Sequence, residues 1–182
     1  MKKHWLPLMT GLLVVLVTLL MAEPVLAQRS NNSTRPSPNA KVSQTIGTTE
    51  IDMHYSRPGV RGRTVFGGLE DWGVPWRAGA NEPTTIVFGG DVMIEGQALA
   101  AGEYAVFIVP MEQGDWEVIF GTMVGWGTQY DQANDVLRVS VTPQQGAHQE
   151  WLIYKFEDLS DTSATLMMHW AETIVPVQIS LP

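Results

Sequence analysis

The chain has 182 residues, with 19 acidic and 11 basic side chains, a formal charge of −8, 45% hydrophobic residues and no cysteine. This composition excludes a disordered tail, a multi-span membrane protein and a disulfide scaffold. It also excludes a thiol nucleophile, an iron–sulfur site and a cysteine-ligated zinc, and the acidic balance argues against non-specific nucleic-acid binding, which depends on clustered Lys and Arg.

Lys2 and Lys3 precede a nearly unbroken apolar run over residues 6–22, and Val25-Leu26-Ala27 then offers small residues where a signal peptidase reads. Residues 1–27 therefore read as a secretory signal peptide. An uncleaved anchor is the alternative, because the run sits at the lower edge of a spanning length. Pro7 and Gly11 interrupt the run, which favours cleavage. The expected location is outside the cytoplasm, periplasmic or extracellular, with membrane contact only through this segment before it is removed. No cysteine follows the site, so lipid attachment there is excluded. Cleavage after Ala27 would shift the charge from −8 to −9. The remaining chain is long enough to bury about 70% of its unfolded surface in a single core. Residues 28–39 are polar and include Pro36 and Pro38. They predict a flexible tether, since they bury too little surface to offset the entropy of ordering.

From residue 40 to 182 the dominant period is two. Ile51, Met53 and Tyr55 alternate with Glu50, Asp52 and His54. Tyr104, Val106 and Ile108 interleave with Ala105, Phe107 and Val109, so that strand is apolar on both faces. Alternation recurs at Trp116-Val118-Phe120, Leu137-Val139-Val141, Leu152-Tyr154-Phe156 and Leu166-Met168-Trp170. Turn-like breaks fall at Gly47-Thr48, Glu95-Gly96, Ala101-Gly102 and residues 158–163. Pro176 inside the last strand suggests an edge position. No stretch after the signal segment sustains a 3.6-residue period. The expectation is all-β: a single-domain β-sandwich or jelly-roll-like fold of about nine or ten short strands.

Residues 57–83 break the alternation. This stretch of 27 residues holds six glycines, four arginines and two tryptophans. Long connections inside a compact domain are usually functional or disordered. Phe66, Leu69, Trp72 and Trp76 carry too much apolar area for disorder, so a packed loop is expected.

Several segments carry a family resemblance. They are Tyr55-Ser56-Arg57-Pro58, Gly62-Arg63, Phe66-Gly67-Gly68, and Trp76-Arg77 followed by Gly79-Ala80-Asn81-Glu82. Further on stand Ala101-Gly102-Glu103-Tyr104, Trp126-Gly127 with Tyr130-Asp131, Phe156-Glu157-Asp158 and His169-Trp170. Together they resemble the domain of unknown function 2911, over roughly residues 38–181. The resemblance implies a bacterial, exported, mainly-β domain and assigns no catalytic residues.

Three candidate sites follow from the residues themselves. Arg57, Arg61, Arg63 and Arg77, with Asn81 and Glu82, could hold an anionic ligand through guanidinium forks. The alternative is that they pair with the protein's own acids and fasten the loop. Trp72, Trp76, Trp126 and Tyr130, near Asn81, Gln129 and Asp131, could stack on a sugar or anchor a protein partner. Equally, these rings could plug the ends of the sandwich. His54, His148 and His169 show no metal-ligand spacing, and no metal or cofactor is expected.

The leading expectation is thus a non-enzymatic binding or interaction module that uses Arg57, Arg61, Arg63, Trp76, Arg77, Asn81, Glu82, Trp126, Tyr130 and Asp131. Its partner would be a small anionic or carbohydrate ligand or an envelope protein, without nucleic acid. One alternative is a cell-envelope hydrolase of a sugar or phosphate ester with Glu82 and Asp131 as acid and base. A structural part of an envelope assembly is the other.

Overall fold

The computed structural model describes residues 34–122 and 130–182. The expected signal peptide, the first half of the expected tether, Trp126 and Gln129 lie outside them. In chain order the strands are β1 (Asn39–Ile46), β2 (Thr49–Ser56), β3 (Thr85–Phe88), β4 (Val92–Ile94) and β5 (Gln97–Leu99). They continue with β6 (Gly102–Val109), β7 (Trp116–Gly121), β8 (Asp135–Val141), β9 (Gln144–Glu157) and β10 (Ser163–Ser180). Six form one antiparallel sheet in the order β1-β2-β3-β6-β7-β8, and four form a second in the order β5-β4-β10-β9. The described domain is all-β, and its two sheets make a sandwich rather than a closed barrel.

The period-two alternation builds the core directly. Met53, Val106, Ile108, Val118 and Phe120 of the first sheet meet Tyr154, Leu166, Met168, Val175 and Val177 of the second, leaving a void of only about 10 Å³ between them. A space of that size holds about one water, so a ligand has no room between the sheets at this point. Strand β6 is apolar on both faces, as its sequence indicates. Its Ala105, Phe107 and Val109 form a second, smaller cluster with Ile119 on the other face of the sheet.

Two expectations are corrected. The strands are not uniformly short, since β9 has 14 residues and β10 has 18. Pro176 does not mark an edge, because β10 lies between β4 and β9. The proline is tolerated where pairing changes sides: β10 pairs with β9 up to Ile174 and with β4 only from Ile179. An absent N–H costs little at a position between the two ladders.

Strand β9 is itself irregular. A step of two positions along β10, from His169 to Ala171, stands against a step of four along β9, from Ile153 to Gln149, and the same excess recurs before Gln145. Such bulges turn a strand away from its partner. Here the turned backbone finds a new one: Val60 N donates to Glu150 O at 2.8 Å and Leu152 N to Pro58 O at 3.0 Å. The long loop thereby begins on the outer edge of the second sheet. It ends on the first, where Trp76 and Ile108 exchange two backbone hydrogen bonds of 2.8 Å and Gly73 N donates to Pro110 O at 2.7 Å. Residues 57–83 bridge the two sheets across one end of the sandwich.

Candidate functional site

The loop closes this end with aromatic side chains. Phe66 is the hub, with ring centroids 4.7 Å from Trp116, 5.8 Å from Trp76, 5.9 Å from Trp170 and 6.4 Å from Trp72. Trp76 is 4% exposed, stacks on Trp170 at 5.5 Å, and donates its indole N–H to Gly79 O at 3.1 Å. Its buried polar atom is thus satisfied, as a tryptophan in a core requires. Trp76 is part of the plug.

Trp72 differs. It rests against Phe66 and against Trp116, at 6.1 Å, yet stays 38% exposed. Room for its indole depends on Gly67, which sits at φ +77°, where a Cβ would come within 2.2 Å of the indole nitrogen. Only glycine satisfies both the backbone and the close approach.

Two open clefts meet at Trp72. One, of about 540 Å³, runs between the β6–β7 turn and the β8–β9 turn and is lined by Asp115, Thr142, Gln144 and Gln145. The other, of about 460 Å³, lies against the loop and is lined by Arg63, Thr64, Phe66 and His148. Trp72, Glu172 and Thr173 line both. Glu172 and Thr173 follow Ala171, which holds the left-handed value φ +52° in the irregular stretch of β10. Residues in such conformations persist only where the surrounding structure fixes them.

The polar walls are oriented by hydrogen bonds. Thr142 Oγ1 donates to Asp115 Oδ1 at 2.6 Å. His148 sets Nδ1 2.8 Å from Glu172 Oε1 and Nε2 3.3 Å from Glu150 Oε2. Glu172 and then Glu150 raise the imidazole pKa above its ordinary value. Glu150 also accepts the Arg61 N–H at 2.9 Å, which helps hold its own pKa down.

Four of the ten residues singled out from sequence converge, and they do so on residues 35–38 of the same chain. Glu82, 1% exposed, takes Arg35 at 2.5 Å. Arg61 Nη2 donates to Pro36 O at 2.6 Å, Asn81 Nδ2 to Ser37 O at 2.8 Å, and Arg57 N to Pro38 O at 2.8 Å. Arg61 and Asn81 both hold left-handed backbone, φ +52° and +60°. The remaining arginine groups bond to main chain as well, Arg57 Nε to Leu152 O and Arg63 to Val60 O and Gly59 O. Arg61 also lies over the Trp151 ring at 5.6 Å. Arg77 Nε is buried without a hydrogen-bond partner among the described residues.

Tyr130 and Asp131 do not line the clefts. Tyr130 packs on Phe107 at 5.3 Å, donates to Asp135 at 2.9 Å and accepts from Arg138 at 2.6 Å. Desolvation and then Asp135 push its pKa up. Asp131 caps the 3-10 turn Gln132–Asn134 by accepting the Ala133 N–H at 3.0 Å. His54 on β2 and His169 on β10 stand in different sheets.

A family model described as "Protein of unknown function (DUF2911)" matches residues 37–179. The chain belongs to this family. No curated protein and no solved structure matches it. The family match begins at Ser37, so part of the gripped segment lies within the DUF2911 domain itself.

Of the polar cleft residues, the sequence singles out Arg63 as a ligand group and His148 only as a histidine without metal-ligand spacing, and it does not mark Asp115, Gln144, Gln145 or Glu172. His148 and Glu150 offered one signal, since two ionisable residues two apart in a strand share a face. Glu172 offered none, because its position depends on an irregularity in β10 that no turn residue announces.

Proposed function

We propose that this DUF2911 domain is an exported, non-enzymatic binding module that seats its ligand on Trp72, with the ligand running into the clefts on either side. Export rests on the charged, apolar and small-residue order of residues 1–27. The observation that carries the binding reading is a tryptophan held half in solvent by a buried aromatic cluster. A rigid ring loses little conformational freedom when a ligand covers it, and anchors of this kind dominate binding energetics. Both clefts fall within the roughly 300–1,000 Å³ typical of ligand sites. Polar groups from the loop, the β8–β9 turn and β10 surround the ring.

The test is a thermal-shift screen of the purified full chain against saccharides, peptides and small organic acids, run beside Trp72→Ala. A ligand at a hundred times its Kd adds about 2.7 kcal/mol. For a domain of this size that is a rise in Tm of about 5–10 °C. At least one compound class should give it with the wild type and not with the variant. Equal shifts for both proteins throughout the library refute the reading.

A further inference from the structure

We infer that the ligand of the Trp72 clefts is an uncharged or amine-bearing oligosaccharide, with one sugar ring on Trp72 and its neighbours in the two clefts. This rests on the binding reading above and specifies its chemistry. A sugar presents an apolar face of C–H groups and a rim of hydroxyls. Its recognition therefore needs an aromatic surface ringed by groups that both donate and accept. Trp72 supplies the surface at 38% exposure. Gln144, Gln145 and Thr173 supply donors and acceptors, while Asp115 and Glu172 are acceptors only,. A carboxylate with two oxygens accepts from adjacent hydroxyls in strong, charge-assisted bonds.

Charge narrows the class. Glu112, Asp115 and Glu172 line the first cleft with no Lys or Arg among the residues lining it. In the second, Arg63 already donates to Val60 O and Gly59 O, and His148 is taken up between Glu172 and Glu150. An acidic sugar would meet like charge along the first cleft, whereas a neutral or amine-bearing one would not. Two clefts joined at one ring favour several linked sugars over a single one. An extended peptide is the weaker fit, because peptide recognition by strand addition needs an open sheet edge. On the edge strand β9 residues 150–152 are already paired with the loop, and the stretch next to the clefts is broken by two bulges,.

Titration calorimetry on the full chain decides the matter. The probes are neutral hexasaccharides differing in linkage and epimer, a glucosamine hexamer, a galacturonate hexamer, glucose and a lysine-rich hexapeptide. At least one neutral hexamer or the glucosamine hexamer should bind at least tenfold tighter than the galacturonate hexamer and than glucose. Trp72→Ala should weaken that binding at least tenfold. In case that variant misfolds, Asp115→Asn with Glu172→Gln provides a second reading and should cut the preference for glucosamine over galacturonate to under threefold. Preference for galacturonate overturns the inference, as does saccharide binding indifferent to both variants. If no saccharide binds while another compound class shows Trp72-dependent stabilisation, the oligosaccharide inference falls and the binding reading stands. If no compound depends on Trp72, both fall.

Discussion

The loop over residues 57–83 has two sides that look alike in sequence and behave oppositely in structure. On one, Arg57, Arg61, Asn81 and Glu82 are engaged by residues 35–38 and by main-chain carbonyls. On the other, Trp72 is held at the meeting of two open clefts. Residue chemistry alone favours the arginines as the recognition surface, since a cationic patch in an acidic protein is unusual. A backbone carbonyl, however, also accepts from a guanidinium, if less strongly than a carboxylate, and every residue of the chain carries one. Counting acids therefore misjudges how much of an arginine is left for a ligand. Whether an aromatic residue is buried or presented depends instead on neighbours: Trp76 and Trp72 both touch Phe66, and only the first is covered.

The comparison breaks most sharply at those two tryptophans. Trp76→Ala removes a ring that stacks on Trp170 and leaves a cavity under the loop. A loss of about 3–5 kcal/mol is expected from such a truncation. Urea unfolding of the full chain measures it. Trp72→Ala, at a half-solvated position, should cost less than half as much in the same experiment. Equal losses would make Trp72 one more core residue and remove the contrast between covered and presented rings.

A smaller effect tests the gripped side. Arg35→Ala deletes the cation held by the buried Glu82 carboxylate. A charge-assisted hydrogen bond of this kind contributes about 1.5–3 kcal/mol. The variant should lose that much stability and expose residues 35–38 to limited proteolysis, while Trp72-dependent ligand binding stays within twofold of wild type. A loss of ligand binding as large as that caused by Trp72→Ala would show the two sides to be one site.

How far the sequence foretells this arrangement depends on the range of the interactions involved. Alternation in residues 104–109 and 116–120 is local, so the strands, the sandwich and even the second apolar face of β6 are legible in the sequence. The packed character of the long loop was also legible, from the apolar area of Phe66, Trp72 and Trp76. The grip on residues 35–38 was not. Those residues contain nothing that buries itself, and their order comes from distant partners, Arg57 and Arg61 and, more than 40 positions away, Asn81 and Glu82. Pro176 misled for a related reason. Its meaning depends on which neighbour β10 pairs with at that point, and a single strand's sequence does not say. The clefts were hidden for the same cause, because Asp115, Gln144 and Glu172 come from three separate elements.

The subtlest contrast lies at Glu70, which feels the charges of Arg77 and Arg63. Partial burial raises its pKa to about 7 from an ordinary 4.5, against the pull of Arg77 and Arg63 and with a smaller push from Asp71. The sign of the consequence is set by which state holds the proton. Between pH 4.5 and 7 the folded chain keeps a proton on Glu70 that the unfolded chain has released. The group's contribution to stability therefore falls as pH rises through that window and is flat above it. Glu70→Gln should accordingly raise the Tm at pH 8, by about 2–4 °C once solvent screening at this partly exposed position is allowed for. The gain should shrink toward zero at pH 4.5, in thermal unfolding followed across the range. If the variant instead melts lower at pH 8, attraction by Arg77 and Arg63 outweighs desolvation. Arg77 would then belong with Arg57, Arg61 and Arg63 among the groups fastening the loop, leaving no arginine of the loop for a ligand.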